Sequence, residues 1–206
     1  MTPSYSPPSF ETLSIAEVAA ILQRQDLPLN SPADDATPRA AVAMILRQAP
    51  PSRMETLLIE RAICPGDPWS GHMAFPGGRR ELRDSALEDA ARRETQEEVG
   101  LALTPDMRIG RLPDLQGSRR LIVTPYVYEC RGPEEPRLTL SAEAQSAVWI
   151  PLSHFADPAR ALPYRPSGEY RRKVWPSFAY GRYIVWGMTY RMLASFMRLF
   201  GIELPE

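Results

Sequence analysis

Residues 77–101, GGRRELRDSALEDAARRETQEEVGL, hold five glutamates and two aspartates among five arginines. A run of this kind is either a solvated helix laced with ion pairs or a set of carboxylates gathered for a cation. The helical wheel bears on the choice. Leu87, Ala91, Glu94 and Glu98 follow one another at spacings of four, three and four, so they lie on one stripe. Leu87 and Ala91 turn that stripe towards the body of the protein, and Glu94 and Glu98 continue an apolar face. Glu97 flanks the same side. Unpaired carboxylates beside a core are costly, and a hard divalent cation, which takes oxygen ligands, would offset the cost. Arg93 neutralises part of the charge. A solvated helix remains the default for an arbitrary charge run. The Gly-Gly turn upstream and the apolar alignment favour the cation.

The same residues resemble the Nudix box, G-x5-E-x7-R-E-U-x-E-E-x-G-U, with U a bulky apolar residue. Arg93, Glu94, Glu97, Glu98, Gly100 and Leu101 match its second half without a gap. The first half departs: Asp84 stands where the pattern has Glu, eight residues instead of seven separate it from Arg93, and Thr95 replaces the apolar U. The resemblance implies hydrolysis of a nucleoside diphosphate linked to another moiety. It implies an α/β (α+β) fold, a mixed β-sheet sandwiched between α-helices. It makes Glu94 and Glu98 the principal ligands of Mg²⁺ or Mn²⁺ and Glu97 a further ligand. Arg93 would orient Glu94, and the carbonyl of Gly78 would join the metal shell. Diphosphate cleavage builds charge on phosphoryl oxygens and on the leaving group, which divalent ions stabilise. The general base would be a glutamate of the box or one from a downstream loop. Glu143 is the loop candidate, eight residues before Pro151, the spacing of the family's E…(V/I)PL segment. An exposed loop acid is the equal alternative.

Upstream, LLIERA…GHMAFPGG resembles the segment before the box in coenzyme A pyrophosphatases, approximately L-L-T-x-R-S/A-x3-R-x3-G-x3-F-P-G-G. Leu57, Leu58, Arg61, Ala62, Gly71, Phe75, Pro76, Gly77 and Gly78 match. Ile59 replaces Thr, the second Arg is absent, and one residue is inserted between Arg61 and Gly71. Near the C-terminus, YIVWGMTYRML resembles that branch's (I/V)WG-x-T helix. The implied substrate is coenzyme A or its thioesters, cleaved to 3′,5′-ADP and 4′-phosphopantetheine. ADP-ribose, a dinucleoside polyphosphate or a nucleoside triphosphate are the alternatives within the family. A non-catalytic binding module would go with a broken RE-x-x-EE set, and here that set is intact. Arg61, Arg79 and Arg80 are candidates for holding phosphate, because a guanidinium fork gives paired hydrogen bonds; solvated surface is the alternative for Arg79 and Arg80. Trp69 would stack on a base or pack under its loop. His72 would touch substrate or make a structural hydrogen bond. Trp186 and Gly187 are assigned to helix–sheet packing, and His154 to the surface.

The elements that must position these residues follow from the rest of the chain. Its 206 residues suit one domain with appended segments. A net charge of −1 gives no broad basic surface for nucleic acid. The expected partner is a small-molecule nucleotide derivative, with no nucleic acid and no membrane; a homodimer is an expectation from the resemblance alone. Cys64 and Cys130 have no metal-type spacing and read as reduced thiols of a cytoplasmic protein. MTPSYSPPSFETL lacks the basic start and apolar core of a signal peptide. Residues 1–37 are expected to be a disordered N-terminus with a short amphipathic helix over 14–25 and a linker over 30–38. The Nudix domain is expected over 38–206. RAAVAMILRQ and METLLIERA predict a hairpin or a meander. A Gly/Pro-rich loop follows, of a length that tends to carry function. Ser85 and Glu88 make a capping-box pattern and Gly100 a stop for a helix over 86–99. Strands are expected in MRIGRLPDL, RLIVTPYVYEC and AVWIPL. Residues 156–176 read as loop, and a last helix is expected over 184–200.

Overall fold

The computed structural model describes residues 10–25, 27, 37–50, 53–66, 69–117, 120–132 and 134–205. Residues 1–9 and most of the expected linker over 30–38 lie outside them. Helix α1 (Ile15–Gln23) starts at Ser14, whose hydroxyl accepts the Glu17 N–H while Glu17 reaches back to the Ser14 N–H. Val18 and Leu22 are buried on its inner face. The disorder expected ahead of that helix does not extend to Phe10. That ring is buried and packs on Phe196 and Phe200, at 6.2 and 5.0 Å between centroids.

The hairpin forms as read. Strand β1 (Arg39–Ala49) pairs antiparallel with β2 (Arg53–Arg61). On its other side β1 pairs in parallel with β7 (Ile122–Glu129), which makes the sheet mixed. Short strands complete it: β3 (Met73–Ala74) on β2, β4 (Gly77–Arg79) on β1, and β5 (Arg108–Arg111) and β6 (Leu115–Gln116) on β7. Strand β8 (Ala144–Pro151) runs antiparallel to β2, and a short helix α3 (Leu152–Phe155) follows it. Strand β1 is buried on both faces. Ala40, Met44 and Leu46 enter one core; Ala41, Ala43 and Ile45 enter the other. This is the period-two alternation of a central strand.

Helix α2 (Leu87–Val99) covers the second face through Ala90, Ala91 and Val99. Its start differs from the expectation. Ala86 is the N-cap, and Asp89, not Glu88, returns a carboxylate to the cap N–H at 2.8 Å. Glu88 pairs with Arg108 instead. Gly100 ends the helix in the left-handed region at φ 72°, where glycine carries no Cβ penalty.

The first face is covered by α1, by α4 (Gly187–Arg198) and by a second, three-stranded sheet. That sheet corrects the sequence expectation. Strands β9 (Ala161–Tyr164), β10 (Trp175–Tyr180) and β11 (Tyr183–Trp186) are antiparallel neighbours in the order β11-β10-β9. Residues 183–186 are therefore strand, and the last helix begins only at Gly187. His154 is not on the open surface. It is half-buried, with Nε2 2.9 Å from the Ala179 carbonyl and its ring against Tyr180, and burial lowers its pKa. Cys64 is exposed and Cys130 buried, both free. Among the described residues no helix is long and apolar enough to cross a membrane.

Candidate active site

Three carboxylates converge. One oxygen from each of Glu94, Glu98 and Glu143 lies within 4.8 Å of the others. Glu94 and Glu98 stand one turn apart on α2, on the stripe continued from Ala91. Glu143 comes from the turn before β8, and its position follows from hydrogen bonds that α2 leaves open. The last carbonyls of a helix have no partner within it. Here the Thr139 N–H donates to the Val99 carbonyl at 2.8 Å and the Ser141 N–H to that of Glu98 at 3.0 Å. The Glu143 carbonyl in turn accepts the Ala62 N–H at 2.8 Å. The loop that closes the helix thus delivers the third acid to the other two.

Glu98 is 1% exposed. Its Oε2 accepts the Gly77 N–H at 3.0 Å, and its Oε1 lies 3.9 Å from the Arg61 guanidinium. Burial pushes its pKa up to about 7; Glu94 and Glu143 push the same way, against Gly77 and Arg61. Burial also raises the pKa of Glu94, against the pull of Arg93. Carboxylates held in this way are short of positive charge. An all-oxygen set of three fits a hard divalent cation such as Mg²⁺ or Mn²⁺. A Cβ on Gly78 would run into the Glu94 carboxylate, so only glycine lets the acid settle over the backbone there.

Arg93 uses all five of its N–H donors. They go to Asp84 at 3.1 and 3.2 Å, Glu94 at 2.7 Å, Glu97 at 3.0 Å and the Arg79 carbonyl at 3.1 Å. Asp84 is buried, also accepts the Glu81 N–H at 2.7 Å, and has its pKa held down chiefly by Arg93. The odd residue of the box is therefore the anchor of Arg93. Glu97 is not brought into the cluster. It is exposed and paired with Arg83 and Arg93, both at 3.0 Å.

A cavity of about 580 Å³ opens over the three acids. Arg61, Trp69, His72, Gly78 and Arg79 all line it; Arg93 and Glu97 do not. Arg61 stands where the pairing of β2 with β8 slips by a bulge between Glu60 and Arg61, a device that re-aims a side chain. Trp186 was expected to serve packing alone, yet it too lines the cavity, together with Tyr170 and Trp175. Its ring meets His72 at 4.7 Å. The tight spacing of aromatics over 170–186 was the available signal.

Residues 37–169 match the NUDIX domain model. An "Uncharacterized Nudix hydrolase NudL" of Salmonella paratyphi B is 34% identical over 138 residues, 65% of this chain and 69% of the relative. A MutT/nudix family protein from Enterococcus faecalis superposes with a TM-score of 0.50 at 18% identity, over 84% of this chain and 57% of that one. The NUDIX domain of Shewanella oneidensis NrtR, solved with ADP ribose, gives a TM-score of 0.46 at 19% identity, over 68% of this chain and 85% of that one. With the box glutamates gathered on α2 under a mixed sheet and the domain model matched over most of the chain, the protein belongs to the Nudix family and is a Nudix hydrolase, a diphosphatase acting on a nucleotide derivative.

Proposed function

We propose that this diphosphatase acts on coenzyme A or its thioesters, releasing 3′,5′-ADP and 4′-phosphopantetheine. The observation that carries the reaction is the convergence of Glu94, Glu98 and Glu143 beside Arg61 in one cavity. Glu94 and Glu98, with the Gly78 carbonyl, would hold Mg²⁺ or Mn²⁺. When bound, the cation supplies neutralisation of the charge that develops on the phosphoryl oxygens. Arg93 fixes the Glu94 carboxylate and keeps its second oxygen free for the site. Glu143, the exposed member of the three, takes the proton of the attacking water. The new O–P bond forms as the bridging P–O bond breaks. Arg61 and Arg79 meet the phosphates, and Trp69 and His72 line the way in.

Coenzyme A is favoured by the meeting of two segments that resemble its pyrophosphatases. The Thr189 hydroxyl donates to the Met73 carbonyl at 2.9 Å, which ties the WG-x-T helix to the strand before the FPGG turn. The test is a substrate panel of coenzyme A, acetyl-coenzyme A, ADP-ribose, a dinucleoside tetraphosphate and ATP, with Mg²⁺ or Mn²⁺. Coenzyme A and its thioester are expected to give the highest kcat/KM. A much higher value for ADP-ribose or the tetraphosphate would overturn the specificity.

A further inference from the structure

The cavity lining has a second chemistry besides its acids and arginines. Tyr170, Trp175 and Trp186 contribute rings that neither the box nor the proposed hydrolysis uses. His72 joins the two regions: its ring meets Trp186, and its carbonyl accepts the Arg61 N–H at 3.0 Å. The three rings lie 5.6–6.3 Å apart at 61–80° to one another. An edge-to-face contact covers one face of one ring of the pair, and all three rings still line the cavity. Tyr170 and Trp175 are only partly buried, unlike the core aromatics. A buried tryptophan N–H ordinarily finds a partner, but that of Trp175 has none. The ring is therefore not placed by a hydrogen bond of the fold.

We infer that Tyr170 and Trp175, backed by Trp186, form the platform on which the planar heteroaromatic base of the nucleotide stacks. This inference rests on the proposed function in taking the ligand to be an adenine nucleotide. Base–aromatic stacking tolerates any π-face. A flexible amide chain such as pantetheine would lose rotor freedom on the same surface. A substrate with phosphates at one end and a base at the other matches a cavity with arginines and acids in one region and aromatic rings in another.

The test separates base recognition from catalysis. The probe is 5′-AMP, its binding followed by tryptophan fluorescence and calorimetry, which need no turnover. Trp175→Leu is expected to weaken AMP binding on the order of tenfold, while Trp175→Phe keeps most of it. The KM values of coenzyme A and ADP-ribose, where each is turned over, should rise by a common factor at similar kcat. Tyr170→Leu gives the same pattern from a half-buried position, should Trp175→Leu fail to fold. AMP binding absent in the wild type, or unchanged in both leucine variants, overturns the platform. A KM change for coenzyme A alone overturns it in favour of the pantetheine arm. If the wild type cleaves no adenine diphosphate while AMP binding still falls in the variants, the platform stands and the proposed reaction fails.

Discussion

Arg182 holds Glu60, 122 positions earlier in the chain, with two hydrogen bonds of 3.0 and 2.6 Å. The Ser146 hydroxyl adds a third to the same carboxylate at 2.7 Å. Arg182 lies in the turn between β10 and β11, and Glu60 at the bulge beside Arg61. The clasp therefore fixes the aromatic sheet relative to the strand that aims Arg61. Arg182 is 57% exposed, so solvent screens the pair and its contribution to stability is small. Arg182→Ala should leave the melting temperature nearly unchanged. Its KM should rise about threefold at constant kcat. The double exchange Glu60→Arg with Arg182→Glu should recover part of the loss. Steady-state kinetics of the two variants decide the point, and a fall in kcat with KM intact would refute a positioning role.

Glu98 sets a pH dependence. Its folded pKa of about 7 lies above the ordinary 4.5, so between those values the folded chain holds more protons than the unfolded one. Stability from this group is full below pH 4.5 and is lost as pH rises through about 7, on the order of 3 kcal/mol. Glu94, also raised, acts in the same direction. In EDTA the melting temperature should therefore fall from pH 5 to pH 8. Millimolar Mg²⁺ should remove most of that slope, because a cation replaces the proton. A rising melting temperature in EDTA over this range would contradict the burial of Glu98.

The two neighbouring box glutamates should behave differently. Glu98→Gln removes a buried acid of the cluster and is expected to lower kcat by about a thousandfold. The fold should persist, with the EDTA pH slope reduced. Glu97→Gln alters an exposed carboxylate paired with Arg83 and Arg93 and should cost less than about tenfold. Equal losses in the two variants, measured at saturating Mg²⁺, would mean that Glu97 swings into the cluster during turnover.

Asp84→Asn leaves the Arg93 guanidinium without its buried anion. A loss of about 3 kcal/mol in urea unfolding at pH 7 is expected. Because Arg93 holds the Asp84 pKa below 3.8, its stabilisation exists above that value and fades as pH falls through the lowered pKa. The gap between wild type and variant should therefore close in acid. Arg93→Lys keeps a charge but has three donors for five acceptor positions. Activity should fall with it as Glu94 loses its fixed orientation.

The carboxylate site was legible because helices announce themselves locally. Leu87, Ala91, Glu94 and Glu98 share a stripe, and Gly100 stops the helix where it should. Glu143 was legible only by its distance from Pro151. What hides it in the sequence is that its loop is placed by the open carbonyls of Glu98 and Val99. The second sheet was not legible for a chemical reason. Strands β9 and β10 are four and six residues long, and each contains a proline, Pro163 facing Pro176. Short proline-bearing segments read as loop. Phe10 was concealed by its Pro/Ser-rich surroundings, since its partners Phe196 and Phe200 stand at the far end of the chain. No local pattern encodes a contact of that separation.

The parallel pairing of β1 with β7 has a consequence in time. Arg39 finds Ile122 about 80 residues later, a closure whose entropy must be met before the central pair of strands exists. During synthesis, at about 5–20 residues per second, Glu94 and Glu98 leave the ribosome before β7 and several seconds before Glu143. The nascent helix therefore carries its acids in water, solvated and ionised, until the chain beyond residue 143 arrives to bury them.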